Sequence, residues 1–194
     1  MGSGGINIYL RVNEHKNIAQ EILKISNKLN TRNNLFVNIE ESKCNNNLSI
    51  NQLLVSGEQI KLSFLSEMGK RYNIYMRCND LLLIDIDLAG CSKADTYKIV
   101  KHVYEEMIAD INAIGVVYDR YADTEDSVDW LNLFKLHLQK KGNIQSALIS
   151  QGIEMIKYHF PPEENFDQNL ILVYTENQLY YLSAERSLPA SVLK

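Results

Sequence analysis

The chain has little of what marks several large protein classes. It holds three cysteines, Cys44, Cys78 and Cys91, none in a CxxC pair, and the odd number leaves at least one thiol unpaired within the chain. That excludes a disulfide-dense scaffold and suits reduced thiols in a cytoplasm, the expected location. Three prolines and nine glycines in 194 residues are too few for a collagenous or linker-rich chain. No apolar run approaches the ~20 residues a membrane-spanning helix needs, so no membrane partner is expected. Basic charge is not in excess either: 20 Lys and Arg face 24 Asp and Glu, a net charge of −4. A general nucleic-acid binder presents a basic face, and no nucleic-acid partner is expected here. Walker A, GxGxxG, GxSxG and HExxH patterns are missing, which removes the familiar phosphate cradles, the nucleophile elbow and a zincin site. His15, His102, His137 and His159 show no ligand spacing, so no metal and no cofactor is expected. The start of the chain carries no charged stretch followed by an apolar one, and no secretory signal is read there. Residues 1–5, Met-Gly-Ser-Gly-Gly, read as a cloning scar.

What is present is ordinary globular material, 45% apolar and 23% charged, enough for one buried core. The expectation is a single α+β domain over residues 6–194, with a mainly antiparallel sheet and packed helices. Ile6 to Val12 alternates as a first strand. Ile18, Ile22, Ile25 and Leu29 then share one face of a helix from Glu14 to Leu29. Leu35 to Ile39 reads as a second strand, and the Asn-rich stretch around residues 44–47 as an exposed loop. From Gln59 to Leu88 the apolar period is two, giving a three-stranded meander whose polar face, with Lys61, Arg71, Arg77, Asp85 and Asp87, is expected in solvent.

Further on, Ser92 and Asp95 predict a capping box for a helix over Lys93 to Asn112, with a stripe of Tyr97, Val100, Tyr104, Met107 and Ile111. A strand is expected over Gly115 to Tyr121. Ser127 is the candidate N-cap of a helix carrying Trp130, Phe134 and Leu138, which Gly142 ends. Asn143 caps a short helix, Ile153 to Phe160 fits helix or strand, and Pro161-Pro162 breaks the chain. Leu170 to Tyr174 and Leu179 to Leu182 form a closing hairpin about Glu176-Asn177.

Two constellations carry chemistry. Leu82 to Asp87, LLIDID, delivers Asp85 and Asp87 to one side of a strand, where a carboxylate pair can hold a divalent cation. It is similar to the first motif of haloacid-dehalogenase-like phosphatases and to the DxD of some glycosyltransferases. Ala89 departs from the phosphatase pattern, which prefers Thr or Val there. The competing reading makes both residues part of the solvated polar face, opposite Arg77 or Arg71, and is the one adopted: no catalytic residue is assigned.

The second constellation is acidic. Residues 101–130 hold Glu105, Glu106, Asp110, Asp119, Asp123, Glu125, Asp126 and Asp129 against Lys101 and Arg120, whereas residues 131–160 are net basic. Carboxylates beside Tyr121 and Trp130 combine long-range attraction for a basic partner with aromatic anchors. The partner-binding set is therefore Asp119, Tyr121, Asp123, Glu125, Asp126, Asp129 and Trp130, with the core as the other place for Trp130. The segment Val117 to Trp130, VYDRYADTEDSVDW, resembles in style the immunity proteins of bacterial polymorphic-toxin systems of the contact-dependent or type VI kind. That resemblance implies a non-catalytic cytosolic protein, monomeric or weakly dimeric, which neutralises a cognate toxin domain through its acidic surface. The alternatives are a metal-dependent phosphoryl- or glycosyl-transfer enzyme using Asp85 and Asp87, and a secretion chaperone or adaptor.

Overall fold

Alternation of apolar side chains makes Gly5–Arg11 a strand, β1. The computed structural model describes residues 5–11, 38–41, 60–65, 71–76, 81–111, 113–120 and 128–184. Among them β1 is the middle strand of a nine-stranded antiparallel sheet. The others are β2 (Asn38–Glu41), β3 (Ile60–Leu65), β4 (Arg71–Met76), β5 (Leu81–Asp87), β6 (Ala113–Asp119), β7 (Ile153–Lys157), β8 (Leu172–Thr175) and β9 (Gln178–Ala184), in the order β2-β3-β4-β5-β1-β6-β8-β9-β7. The expected meander is β3–β4–β5. The closing hairpin is β8–β9, turning through Glu176 and Asn177 at φ 52° and 62°, the paired left-handed conformation that a two-residue hairpin loop requires. The stretch Ile153 to Phe160, open between helix and strand, is a strand as far as Lys157, because β9 offers it a pairing edge. The expected helix over Glu14 to Leu29 and the loop at 44–47 lie outside the described residues.

The helix after β5 comes in three parts: α1 (Lys93–His102), a π-helical turn (Val103–Met107) and α2 (Ile108–Ile111). Its start follows the Ser92/Asp95 signal. The Asp95 N–H donates to Ser92 Oγ at 3.1 Å, and the Ser92 hydroxyl donates to Asp95 Oδ2 at 2.8 Å. Its apolar stripe meets Ile6, Ile8, Ile84, Ile86, Val116 and Tyr118 on one face of the sheet. The connection from β7 to β8 lies over the same face, held by tyrosine hydroxyls: Tyr97 donates to the Pro161 carbonyl at 2.8 Å and Tyr118 to that of Gln168 at 2.7 Å.

Helices α3 (Trp130–Leu138) and α4 (Ile144–Ile149) cover the other face. There Trp130, Phe134, Ile144 and Leu148 form a second core with Tyr9, Val117 and Val173. Of the meander's polar face expected in solvent, Asp85 and Asp87 belong to the described side chains, and Lys61, Arg71 and Arg77 lie outside them. Leu83, Asp85 and Asp87 on β5 stay half-exposed, while the same face of β1, β6 and β8 is closed over. Two end-signals of α3 also differ from expectation. Asp129 is the N-cap, and the helix stops before Gly142, because Lys140 takes φ 56° and the Lys140 and Lys141 N–H groups bond back to the His137 and Leu136 carbonyls at 3.0 and 2.9 Å. This Schellman pattern normally uses glycine at the left-handed position. Asn143 caps α4 as expected, through Ser146 N–H at 3.0 Å.

Candidate functional site

Strand register brings together two features that lie apart in the sequence. Gly5 stands opposite Asp87 on one side and Asp119 on the other, and Asn7 stands opposite Asp85. Side chains two apart on a strand, and directly opposite on its neighbours, share a face. Asp85, Asp87 and Asp119 therefore occupy one end of one face, across three adjacent strands. The space over Gly5 is taken by the Asp85 carboxylate: a Cβ there would lie 2.9 Å from Asp85 Oδ1 and 3.2 Å from the Ile86 carbonyl oxygen. Asp129 reaches the same region from α3. Burial, and then the charges of Asp129, Asp85 and Asp119, hold the Tyr9 hydroxyl well above the ordinary phenol range.

The carboxylates also do structural work. Asp87 Oδ1 accepts the Ala89 N–H at 2.8 Å, closing the turn that leaves β5. Asp129 is exposed, and its Oδ1 accepts the Asn132 N–H at 3.1 Å as the cap of α3. Among the described residues no three His, Cys, Asp or Glu side chains are placed to hold one metal ion.

The partner-binding set read from the sequence divides. Tyr121, Asp123, Glu125 and Asp126 lie outside the described residues. Asp119 is 3% exposed, so its charge sits beneath the surface instead of on it. Trp130 is corrected from surface anchor to core: it is 4% exposed, and its ring lies 6.4 Å from that of Phe134. Four residues apart, the two rings share the face of α3 that looks onto the sheet. The indole N–H of Trp130 has no acceptor among the described residues. Nor does the acidic stretch of residues 101–130 make one surface. Glu105 and Glu106 belong to the π-helical turn on the opposite face of the sheet, where they pair with Lys101 at 3.8 Å and His102 at 3.4 Å. What the sequence did not reveal is that Asp85 and Asp87 join Asp119, because nothing local specifies that β1 inserts between β5 and β6.

No protein-family model, curated protein or solved structure matches the chain. Among the described residues no helix is long and apolar enough to cross a membrane.

Proposed function

We propose that this chain is a protein-binding module that neutralises a cognate bacterial toxin domain, with the acidic end of the sheet as the side facing it. The observation that carries the reading is the meeting of the half-exposed Asp85 and Asp87 with the exposed Asp129 on the side of Tyr9, over the buried Asp119. Asp123, Glu125 and Asp126 follow in the sequence between Asp119 and Asp129, and we assign them to the same partner-facing set. A toxin that acts on nucleic acid carries a basic cleft for phosphates, and an acidic partner meets that cleft by imitating the charge of its substrate. The work done by Asp87 in its turn and Asp129 in its cap favours a binding role for this end over phosphoryl or glycosyl transfer.

Two measurements test the proposal. The C-terminal domain encoded by the neighbouring open reading frame is expressed with and without this chain, and survival of the cells is scored. Association of the purified pair is then followed for the wild type and for an Asp123→Lys, Glu125→Lys, Asp126→Lys variant. Rescue of growth is expected, with association much slower in the variant at low salt and the wild type slowing towards it as salt rises. A folded variant that associates at the wild-type rate at every salt concentration would discard this surface.

A further inference from the structure

The nine-stranded sheet ends at β7, whose only strand partner among the described residues is β9. One hydrogen bond fixes which way its backbone groups point. Tyr158 N–H donates to the Leu179 carbonyl at 3.0 Å, so by the alternation of an antiparallel ladder Ile156 and Glu154 also turn their N–H and C=O groups towards β9, opposite Tyr181 and Ser183. The groups of Ile153, Met155 and Lys157 then point the other way, off the edge of the sheet. Such a row of donors and acceptors is a template for one more strand.

Apolar side chains border the same edge. Ile156 is half-exposed and belongs to neither of the two cores. Ile149, at the end of α4, is 57% exposed, and a turn closed by the Gly152 N–H on the Ile149 carbonyl at 2.9 Å carries the chain from it into β7. The charges of the strand select the register in which a second β7 fits, antiparallel to the first about a two-fold axis. Centred on Glu154 or on Lys157, that axis opposes like charges. Centred on Met155, it sets Glu154 against Ile156 of the second copy and leaves on the axis a side chain already buried in the second core. Centred on Ile156, it pairs Ile156 with itself, Met155 with Lys157 and Glu154 with Tyr158, so no like charges are opposed. The outward groups of Met155 and Lys157 then exchange hydrogen bonds across the junction.

We infer that this chain self-associates through β7, two copies joining edge to edge about a two-fold axis at Ile156 into one continuous sheet. Pairing of β7 with β7 is isologous and closes with two copies, whereas pairing of β7 with the opposite edge would propagate. The junction is three strands away from β6, which carries Asp119, and the inference does not depend on the toxin reading. Sedimentation equilibrium of the full chain is expected to show the mass doubling with a Kd on the order of 100 μM, as suits an edge interface smaller than the ~1,200 Å² of standard complexes. Amide exchange at Met155 and Lys157 should slow as the concentration rises. Lys157→Pro removes an N–H that β9 does not use, and Ile156→Lys places like charges on the axis; each should weaken association by roughly tenfold or more while the chain stays folded. Under mild oxidation Ile156→Cys should give a covalent dimer beyond any formed by the wild type, because the Cα atoms of a non-hydrogen-bonded pair, ~4.5 Å apart, lie within the span of a disulfide. Glu154→Cys, placed opposite Tyr158, should not. A monomer at every concentration, unchanged association in a folded Lys157→Pro or Ile156→Lys variant, or equal cross-linking through Glu154→Cys would each overturn the assignment.

Discussion

Phe134 lies directly on Gly115: a Cβ built at residue 115 would fall inside the Phe134 ring, well within van der Waals contact of Cε1, Cζ and Cδ1. The absence of a side chain on β6 is what lets α3 settle onto the sheet. With the ring seated there, Phe134 also stacks on Tyr9 of β1 at 4.5 Å between centroids, so one glycine sets the depth of the second core.

Gly115→Ala is therefore expected to destabilise the protein by about 1–3 kcal/mol, the usual cost of overpacking a filled core. Urea unfolding measures it. Phe134→Leu in the same chain should recover part of the loss, and a double-mutant cycle with no coupling between the two positions would contradict the packing described.

Tyr97 ties α1 to the β7–β8 connection through the Pro161 carbonyl, and also receives Lys101 Nζ at 3.3 Å. Tyr97→Phe keeps the ring contacts with Phe160 and Phe166 and removes the hydroxyl. A loss of about 1 kcal/mol is expected, with faster amide exchange between residues 158 and 171. Unchanged exchange in that connection would show that the hydroxyl does not hold it.

Alkaline pH should destabilise the fold through its phenols. Burial raises Tyr9 and Tyr104 well above their ordinary range, and Tyr158 is pushed up to about 12 by partial burial and then by Tyr97 and Asp167. The unfolded chain loses these protons near pH 10 while the folded chain retains them, so their contribution is intact below about pH 10 and declines above it. Denaturant midpoints between pH 9 and pH 12 should fall, and less steeply in Tyr9→Phe. In Asp85→Asn, absorbance titration should find Tyr9 ionising at lower pH than in the wild type, since one of the repelling charges is gone.

Asp129 combines a cap with a charge, and two substitutions separate them. Asp129→Ala should cost about 1 kcal/mol as the Asn132 N–H loses its acceptor, while Asp129→Asn, an equally good cap, should leave stability within a few tenths. If Asp129 steers a basic partner, Asn should slow association as much as Ala does. Calorimetry and association rates on the same pair of variants decide the matter.

Much of this fold is legible in single segments. The period-two runs Ile60 to Phe64 and Leu82 to Leu88, the Ser92/Asp95 cap, the Asn143 cap and the Glu176-Asn177 turn are local signals. Each is enforced by backbone sterics or by a hydrogen bond spanning two or three residues, and each appears where the sequence places it. The order of strand and helix patterns likewise indicates an α+β chain, and the composition supplies enough apolar material for a core. The tertiary structure alone decides that β1 lies between β5 and β6, since an edge of alternating Ile residues carries no address for its partner. From that one insertion follow the meeting of Asp85 and Asp87 with Asp119, the burial of Asp119, and the second core that takes in Trp130. A residue at the start of an amphipathic helix turns inward or outward according to what lies beneath it, and Trp130 joins a core that includes Tyr9, from a strand distant in the chain.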